Sequence, residues 1–209
     1  MAVVYTVAQQ KGGAGKTMLA ANLAAALAAR GRVALLDVDP QRSLARWHDI
    51  RGQREKPAAA ISFAEVSGWR LSAELDRLKR NHDFVLIDSP PQVDTDAKLA
   101  VRGADLVLIP VQPSPPDIWA AEGTLKLAQA ERRPARLLLN RAPAASRLRD
   151  TVVADILARK LAILPTVLGN RTVYAAAFAE GLGVTEASPR STAAAELLAL
   201  LADIEGVRT

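Results

Sequence analysis

VVYTVAQQKGGAGKTMLAANL, residues 3 to 23, sets an apolar run, a glycine-rich loop and a helical pattern end to end. The run VVYTVA (3–8) is apolar on both faces, which suits a buried parallel strand. From Lys16 to Arg30, Leu19, Leu23 and Leu27 recur at every fourth position, which predicts a helix with one buried stripe. Where a strand hands over to a helix, unpaired backbone N–H groups and the helix's positive end converge, and that arrangement holds phosphate. Gly12, Gly13 and Gly15, with Ala14 between them, let the backbone wrap closely round an anion. Lys16 is then placed to reach β and γ phosphates and the Thr17 hydroxyl to ligate Mg²⁺. The stretch departs from the pattern G-x-x-x-x-G-K-[ST] at one point: Gln10 stands where the first glycine belongs, and a second lysine, Lys11, follows it. At the loop entrance the backbone turns away, so the Lys11 side chain is expected to point outward, as a solvated charge or toward a second molecule.

Further apolar runs follow: VALLDV (33–38), FVLID (84–88), DLVLIPV (105–111) and RLLLN (136–140). Between them lie helical patterns, with Leu71, Leu75 and Leu78 striping residues 70–80 and further helices expected over 147–160 and 191–204. Strand followed by helix, repeated, predicts an α/β fold: a mostly parallel sheet with helices on both faces. Proline content reads SPPQ (89–92) and PSPPD (113–117) as loops, and residues 51–60 as a polar connection. No composition shift marks a boundary, so 1–209 is expected to form one domain.

The composition removes several chemistries. There is no cysteine among the 209 residues, so disulfides, thiolate catalysis and Cys-ligated zinc or iron–sulfur centres are out. No uninterrupted apolar span is long enough to cross a bilayer and no charged leader precedes the first run, so a soluble, cytoplasmic protein is expected. The formal charge of +5 and pI of about 9.9 suit an anionic partner such as nucleic acid. His48 and His82 have neither metal-ligand spacing nor a nearby nucleophile and read as structural.

Three carboxylates fall at strand ends, the rim where ligands bind in open α/β sheets. Asp37 and Asp39 close the second run and, two apart, lie on one side of it. Asp88 closes another, in FVLIDSPP, where a carboxylate can hold Mg²⁺, usually through water. Asn140, in the dipeptide NR after RLLL, is either a turn residue or a hydrogen-bond partner for a base.

K-G-G-A-G-K-T, residues 11–17, resembles the deviant Walker A motif of the ParA/MinD superfamily of P-loop ATPases, in which the extra lysine is the signature. The resemblance is strongest over 3–45 and 83–113 and looser after 140. It implies ATP and Mg²⁺ as ligands and a sandwich homodimer in which each Lys11 contacts the other subunit's triphosphate. Two facing Mg-ATP groups repel in a low-dielectric interface, and cations donated across it offset that repulsion. By the same resemblance Lys11, Lys16 and Asp39 are the catalytic residues, Asp39 orienting the attacking water. Thr17, Asp37 and Asp88 surround the metal, Asp88 to Pro91 form a switch segment, and Asn140 contacts adenine. Relatives usually carry Thr or Ser at position 18; Met18 keeps the backbone N–H but lacks the hydroxyl that contacts the α phosphate, so weakened nucleotide binding is expected.

Within the superfamily, the resemblance points to short ParA-type partition ATPases. Such a protein binds double-stranded DNA without sequence preference, associates with the nucleoid and positions a plasmid, chromosome or protein cluster, with a ParB-like partner stimulating hydrolysis. Arg147, Arg149, Arg171 and Arg190 are the DNA-contact candidates. The phosphate loop starts so near residue 1 that no helix-turn-helix extension is expected before it. Two alternatives stay open: a metabolic ATP-dependent ligase or amidase of the same superfamily, and a membrane-cycling regulator of MinD type. Against the last, ELLALLADIEGVRT places Leu197, Leu198, Leu201 and Ile204 on one face but Glu196, Asp203 and Glu205 among its polar positions, where anionic lipid would repel them; no membrane attachment is expected.

Overall fold

The computed structural model describes residues 2–91, 95–144 and 146–207. Its strands are β1 (Val3–Val7), β2 (Val33–Asp37), β3 (Ile61–Glu65), β4 (Phe84–Asp88), β5 (Leu106–Val111), β6 (Ala135–Ala142) and β7 (Ile163–Gly169). The helices are α1 (Lys16–Ala28), α2 (Ser43–Gly52), α3 (Arg70–Asn81), α4 (Thr95–Gly103), α5 (Pro115–Ala130), α6 (Arg147–Ala158), α7 (Thr172–Ala179), α8 (Val184–Ala187) and α9 (Thr192–Gly206). The strands form one sheet in the order β3-β2-β4-β1-β5-β6-β7, every pairing parallel.

Successive strand residues feed opposite faces, as the two-residue period requires. Tyr5, Val7, Leu35 and Leu86 pack beneath α1, α2 and α7–α9. Val4, Leu36, Val85 and Ile87 pack beneath α3 and α4, while Val107, Ile109 and Leu139 pack beneath α4–α6. This double cover explains why the central strands are apolar without interruption. Helix α1 is enclosed on nearly every side: Ala20, Ala21, Ala24, Ala25 and Ala26 are all buried together with its leucines.

The two sheet edges, β3 and β7, were not apparent from the sequence. Each mixes a few buried positions with half-exposed or exposed ones, and β7 carries Pro165, which an edge strand tolerates because its outer side needs no ladder donor. PSPPD is not wholly loop as its prolines suggested. Ser114 accepts a hydrogen bond from the Asp117 backbone N–H and caps α5, whose first turn holds Pro115 and Pro116, positions that need no N–H donor. In SPPQ, Ser89 to Pro91 lie outside helix and strand, and Gln92 lies outside the described residues. In α9 the buried stripe is Leu197, Leu200, Leu201 and Ile204; Leu198, expected on that face, is exposed.

The histidines are structural. His48 stacks on Phe63 and contacts the Ile61 carbonyl oxygen, and His82 bridges α3 to Ser62.

Candidate nucleotide site

The C-terminal ends of β1, β2, β4 and β6 bring the expected residues to one rim. The loop after β1 needs left-handed backbone at Gly13 (φ 78°) and Gly15 (φ 91°). At Gly15 an added Cβ would stand 2.5 Å from the Asn140 Nδ2, so the position requires glycine on two counts. Asn140 donates to the Ala14 carbonyl oxygen at 2.8 Å and accepts from the Arg141 N–H at 3.0 Å. Arg141, with a left-handed φ of 52°, donates from its guanidinium to the Gly13 carbonyl oxygen at 3.0 Å. The end of β6 therefore clamps the phosphate loop from outside.

Two cavities meet over this loop. One, of about 270 Å³, is lined by Gly12, Gly13, Gly15, Lys16, Thr17, Asp39 and Arg141 among others, and matches the expected phosphate end. The other, of about 240 Å³, is mostly apolar and is lined by Leu19, Asn140, Leu168, Tyr174 and Leu197 among others; its shape and lining suit a base. Gly15, Met18 and Arg141 border both. Asn140 thus both clamps the loop and lines the apolar cavity. Met18 is half-buried against the core, and its carbonyl oxygen accepts from the Asn22 amide. Asn22 also accepts the Val184 N–H, tying α1 to α8.

Lys16 is 7% exposed; burial lowers its pKa, opposed by Asp88 and Asp39. Asp88 is fully buried, and neither carboxylate oxygen completes a hydrogen bond. Burial pushes its pKa up to about 7, with the Thr17 hydroxyl pulling the other way and Asp37 adding to the rise. Asp37 pairs with Asp88 in register across β2 and β4, and burial raises it to about 6. An unpartnered buried carboxylate beside a second one calls for a cation, so Thr17, Asp88 and Asp37 fit Mg²⁺. Among the described residues no cluster of three His, Cys, Asp or Glu could hold a metal by itself, consistent with a Mg²⁺ that keeps water and phosphate in its shell.

Asp37 also has a structural task. Its oxygens accept the backbone N–H groups of Asp39 and Ala45, both at 3.1 Å, so it anchors the first turn of α2 and the loop between. Asp39 accepts the Gln41 N–H at 2.9 Å and borders the phosphate cavity. Behind this loop, α2 is fixed by Arg51, whose guanidinium pairs with Glu186 at 2.6 Å and donates to the carbonyl oxygens of Ala59 and Gly181.

Lys11 points away from the loop's own cavities, but it is paired and not a free solvated charge. Lys11 lines neither cavity, but its Nζ lies 2.5 Å from Asp117 Oδ2, with the lysine side chain 39% exposed and Asp117 only 1%. Asp117 accepts in addition from the Ser114 hydroxyl and the Gln112 N–H. The lysine is therefore docked on the start of α5. An S-x-x-D signal for the α5 cap stood in the sequence at 114–117, but its second use, 106 residues from Lys11, did not.

The four arginines proposed for DNA do not share one environment. Arg171 pairs with Glu196 at 2.5 Å beside the base cavity, and Arg149 with Asp150. Arg147 and Arg190 are exposed and make no ion pair among the described residues. The acids of α9 are likewise engaged: Asp203 accepts the Thr166 N–H and Glu205 pairs with Arg30.

The family model for the CobQ/CobB/MinD/ParA nucleotide binding domain matches residues 5–184. The chain is 33% identical over 202 residues to the maintenance of carboxysome distribution protein A of Halothiobacillus neapolitanus, covering 93% of this chain and 92% of that protein. It is 33% identical to a probable plasmid-partitioning protein ParA of Thermus thermophilus over 163 residues, 62% of this chain and 51% of that one. Among solved structures, the ATP complex of a Cyanothece McdA variant superposes with a TM-score of 0.81 at 18% identity, covering 99% and 96% of the two chains. The cell division ATPase MinD of Pyrococcus furiosus gives 0.79 at 21%, covering 99% and 100%. At these identities the structural matches show the fold.

Proposed function

Since the chain belongs to the CobQ/CobB/MinD/ParA family of nucleotide-binding domains, in which ParA and MinD are P-loop ATPases, we propose that it binds and hydrolyses Mg-ATP and uses the nucleotide to control a sandwich homodimer that positions a cargo. The observation that carries the dimer reading is the placement of Lys11. It belongs to the phosphate loop yet borders neither cavity of its own subunit, which leaves its ammonium for a second molecule once Asp117 lets go. Full-length likeness to a carboxysome distribution protein supports a protein assembly as the cargo. Similarity to a plasmid-partitioning ParA, with a net charge of +5, supports nonspecific duplex DNA as the track, which would place the protein on the nucleoid in the cytoplasm. Of the proposed DNA contacts, the unpaired Arg147 and Arg190 fit best; Arg149 and Arg171 would first leave their acidic partners. A cargo-bound, ParB-like adaptor would stimulate hydrolysis.

In this reading Lys16 neutralises charge on the β and γ phosphates, the loop N–H groups hold the remaining oxygens, and Asp39 orients the attacking water. Thr17, with Asp88 and Asp37 behind it, would hold Mg²⁺, which would supply charge neutralisation for the phosphates. Such a site works by positioning and electrostatics, with no covalent intermediate on the protein. Membrane attachment through α9 is not favoured, because its apolar stripe is packed into the core; no helix among the described residues is long and apolar enough to cross a membrane.

Light scattering coupled to gel filtration tests the reading. Wild type is expected to be a dimer with ATP and a monomer with ADP, and Lys11→Ala a monomer with both. Nucleotide-independent mass, or a Lys11→Ala variant that dimerises normally, would refute it. In anisotropy on random-sequence duplex, binding should require ATP and weaken with salt by about 0.9 log units per log unit for each neutralised phosphate.

A further inference from the structure

Two cavities beside the nucleotide site, the first of them bordered by Asp37 and Asp39, run together along the β3 edge. One, of about 620 Å³, opens at Asp39 and Pro90 and passes Glu65 to reach Trp69 and Arg70. The other, of about 650 Å³, continues from Trp69 and Arg70 over Ala64 and Ala73 to Arg80. Both are bordered by Glu65, Val66, Trp69 and Arg70, so they form a single groove. One wall is a face of α3 presenting Arg70, Ala73, Arg77 and Arg80 at helical spacing; the other is β3.

Three features of this groove point to an occupant. First, β3 is the terminal strand and pairs only with β2. Its outer side has no strand partner, and a peptide can use such an edge as a template. Second, Trp69 is 80% exposed, the most exposed large apolar side chain among the described residues, with the Arg70 guanidinium 5.5 Å from its ring centroid. Third, over the α3 end of the groove arginine is in excess, whereas the end toward the β2 loop is acidic, lined by Asp37, Asp39 and Asp96 with Arg42. Glu65 is neutralised by a two-pronged pair with Arg42, and Glu74 by one with Arg77. Arg70 and Arg80 have no carboxylate partner among the described residues. An unpaired arginine at each end of an α3 face, beside an exposed indole, is the chemistry of a binding hot spot.

We propose that the α3 end of this groove, from Trp69 and Arg70 to Arg80, takes an extended acidic segment of a partner protein, laid as an added strand beside β3. Its carboxylates would meet Arg70 and Arg80, and one apolar side chain would cover Trp69. The dimensions agree. Arg70 and Arg80 are separated by about 15 Å along the helix axis at 1.5 Å per residue, the reach of about five extended residues. Nucleic acid also answers arginine and indole, but it makes no use of a free strand edge, which favours the peptide. The groove is complete without nucleotide, so the proposal stands apart from the ATPase reading.

The test uses the full chain without nucleotide and a fluorescein-labelled twelve-residue peptide of alternating Glu and Thr with one central Leu, followed by anisotropy. Controls are the same peptide with Lys for Glu, the acidic peptide N-methylated at alternate residues, and an unlabelled DNA duplex as competitor. The acidic peptide should bind and both peptide controls should fail. Trp69→Ala and Arg80→Glu should each weaken binding about tenfold or more, and Arg70→Glu/Arg80→Glu should exchange preference toward the lysine peptide. Trp69→Ala should leave ATP-dependent dimerisation unchanged. No binding of the acidic peptide, or binding indifferent to Trp69→Ala, overturns the proposal. Displacement by duplex at equal affinity would make this a nucleic-acid groove, and loss of self-association in Trp69→Ala would make it a surface for a second copy; either result also overturns it.

Discussion

Freeing Lys11 should make the dimer tighter. In the isolated subunit its ammonium is held by Asp117, and a residue that must reach across an interface has to leave that contact first. The change Asp117→Asn keeps the side-chain shape and an acceptor for Ser114 or Gln112 while removing the charge. A hydrogen bond between charged groups contributes about 1.5–3 kcal/mol when sheltered, whereas exposed pairs contribute about 0–1 kcal/mol. With the lysine side chain 39% exposed and the aspartate 1%, an intermediate value of about 1 kcal/mol per subunit is reasonable. A dimer releases two such contacts, so the variant should lower the dissociation constant by roughly thirtyfold, since each 1.4 kcal/mol is a factor of ten. Sedimentation velocity with a non-hydrolysable ATP analogue measures this directly, and a denaturant melt of each variant guards against a folding defect. An unchanged or weaker dimer for a well-folded Asp117→Asn would show that Asp117 does not compete for the lysine.

Further outcomes can be checked on the same preparations. Asp37 and Asp88, raised from the usual 3.8 to about 6 and about 7, keep protons in the folded state that the unfolded chain has already lost. Nucleotide-free stability should therefore fall as pH rises from about 4 to about 7, and Asp88→Asn should flatten that slope in thermal melts. Mg-nucleotide, which needs the ionised carboxylates, should bind better across the same window. Met18→Thr should tighten ATP more than adenosine in calorimetry, because the added hydroxyl reaches only a phosphate; equal changes would show the position acts through packing. Arg51→Ala strips the partner from Glu186 in a nearly buried pair and should cost about 3–5 kcal/mol in urea unfolding, unlike Arg32→Ala in the exposed pair with Asp83.

Much of this site was legible because its parts are local. Gly12 to Thr17 are contiguous, and Asp37, Asp39 and Asp88 each end an apolar run that the double-sided burial of the sheet made conspicuous. The edge strands were hidden by the opposite circumstance: ISFAE and ILPTVLG are covered on fewer sides and carry polar or small residues where a central strand would carry valine. Contacts made across the sheet were out of reach. Asn140 meets Ala14 across 126 positions, and Arg171, singled out for its charge, finds Glu196 only after α7 and α8 have turned the chain back. A list of cations in sequence order does not reveal which have already found an acid.

The alanine content of α1 has a mechanical consequence. With methyl groups in contact all round, the helix cannot roll or slide by a fraction of an ångström without collision, because close-packed interiors are nearly incompressible. The glycine loop rides on a fixed jaw. Any stroke that accompanies nucleotide turnover would have to come from the opposing jaw, the loop before α2, where Pro40, Gln41 and Arg42 are exposed and α2 hangs from a carboxylate.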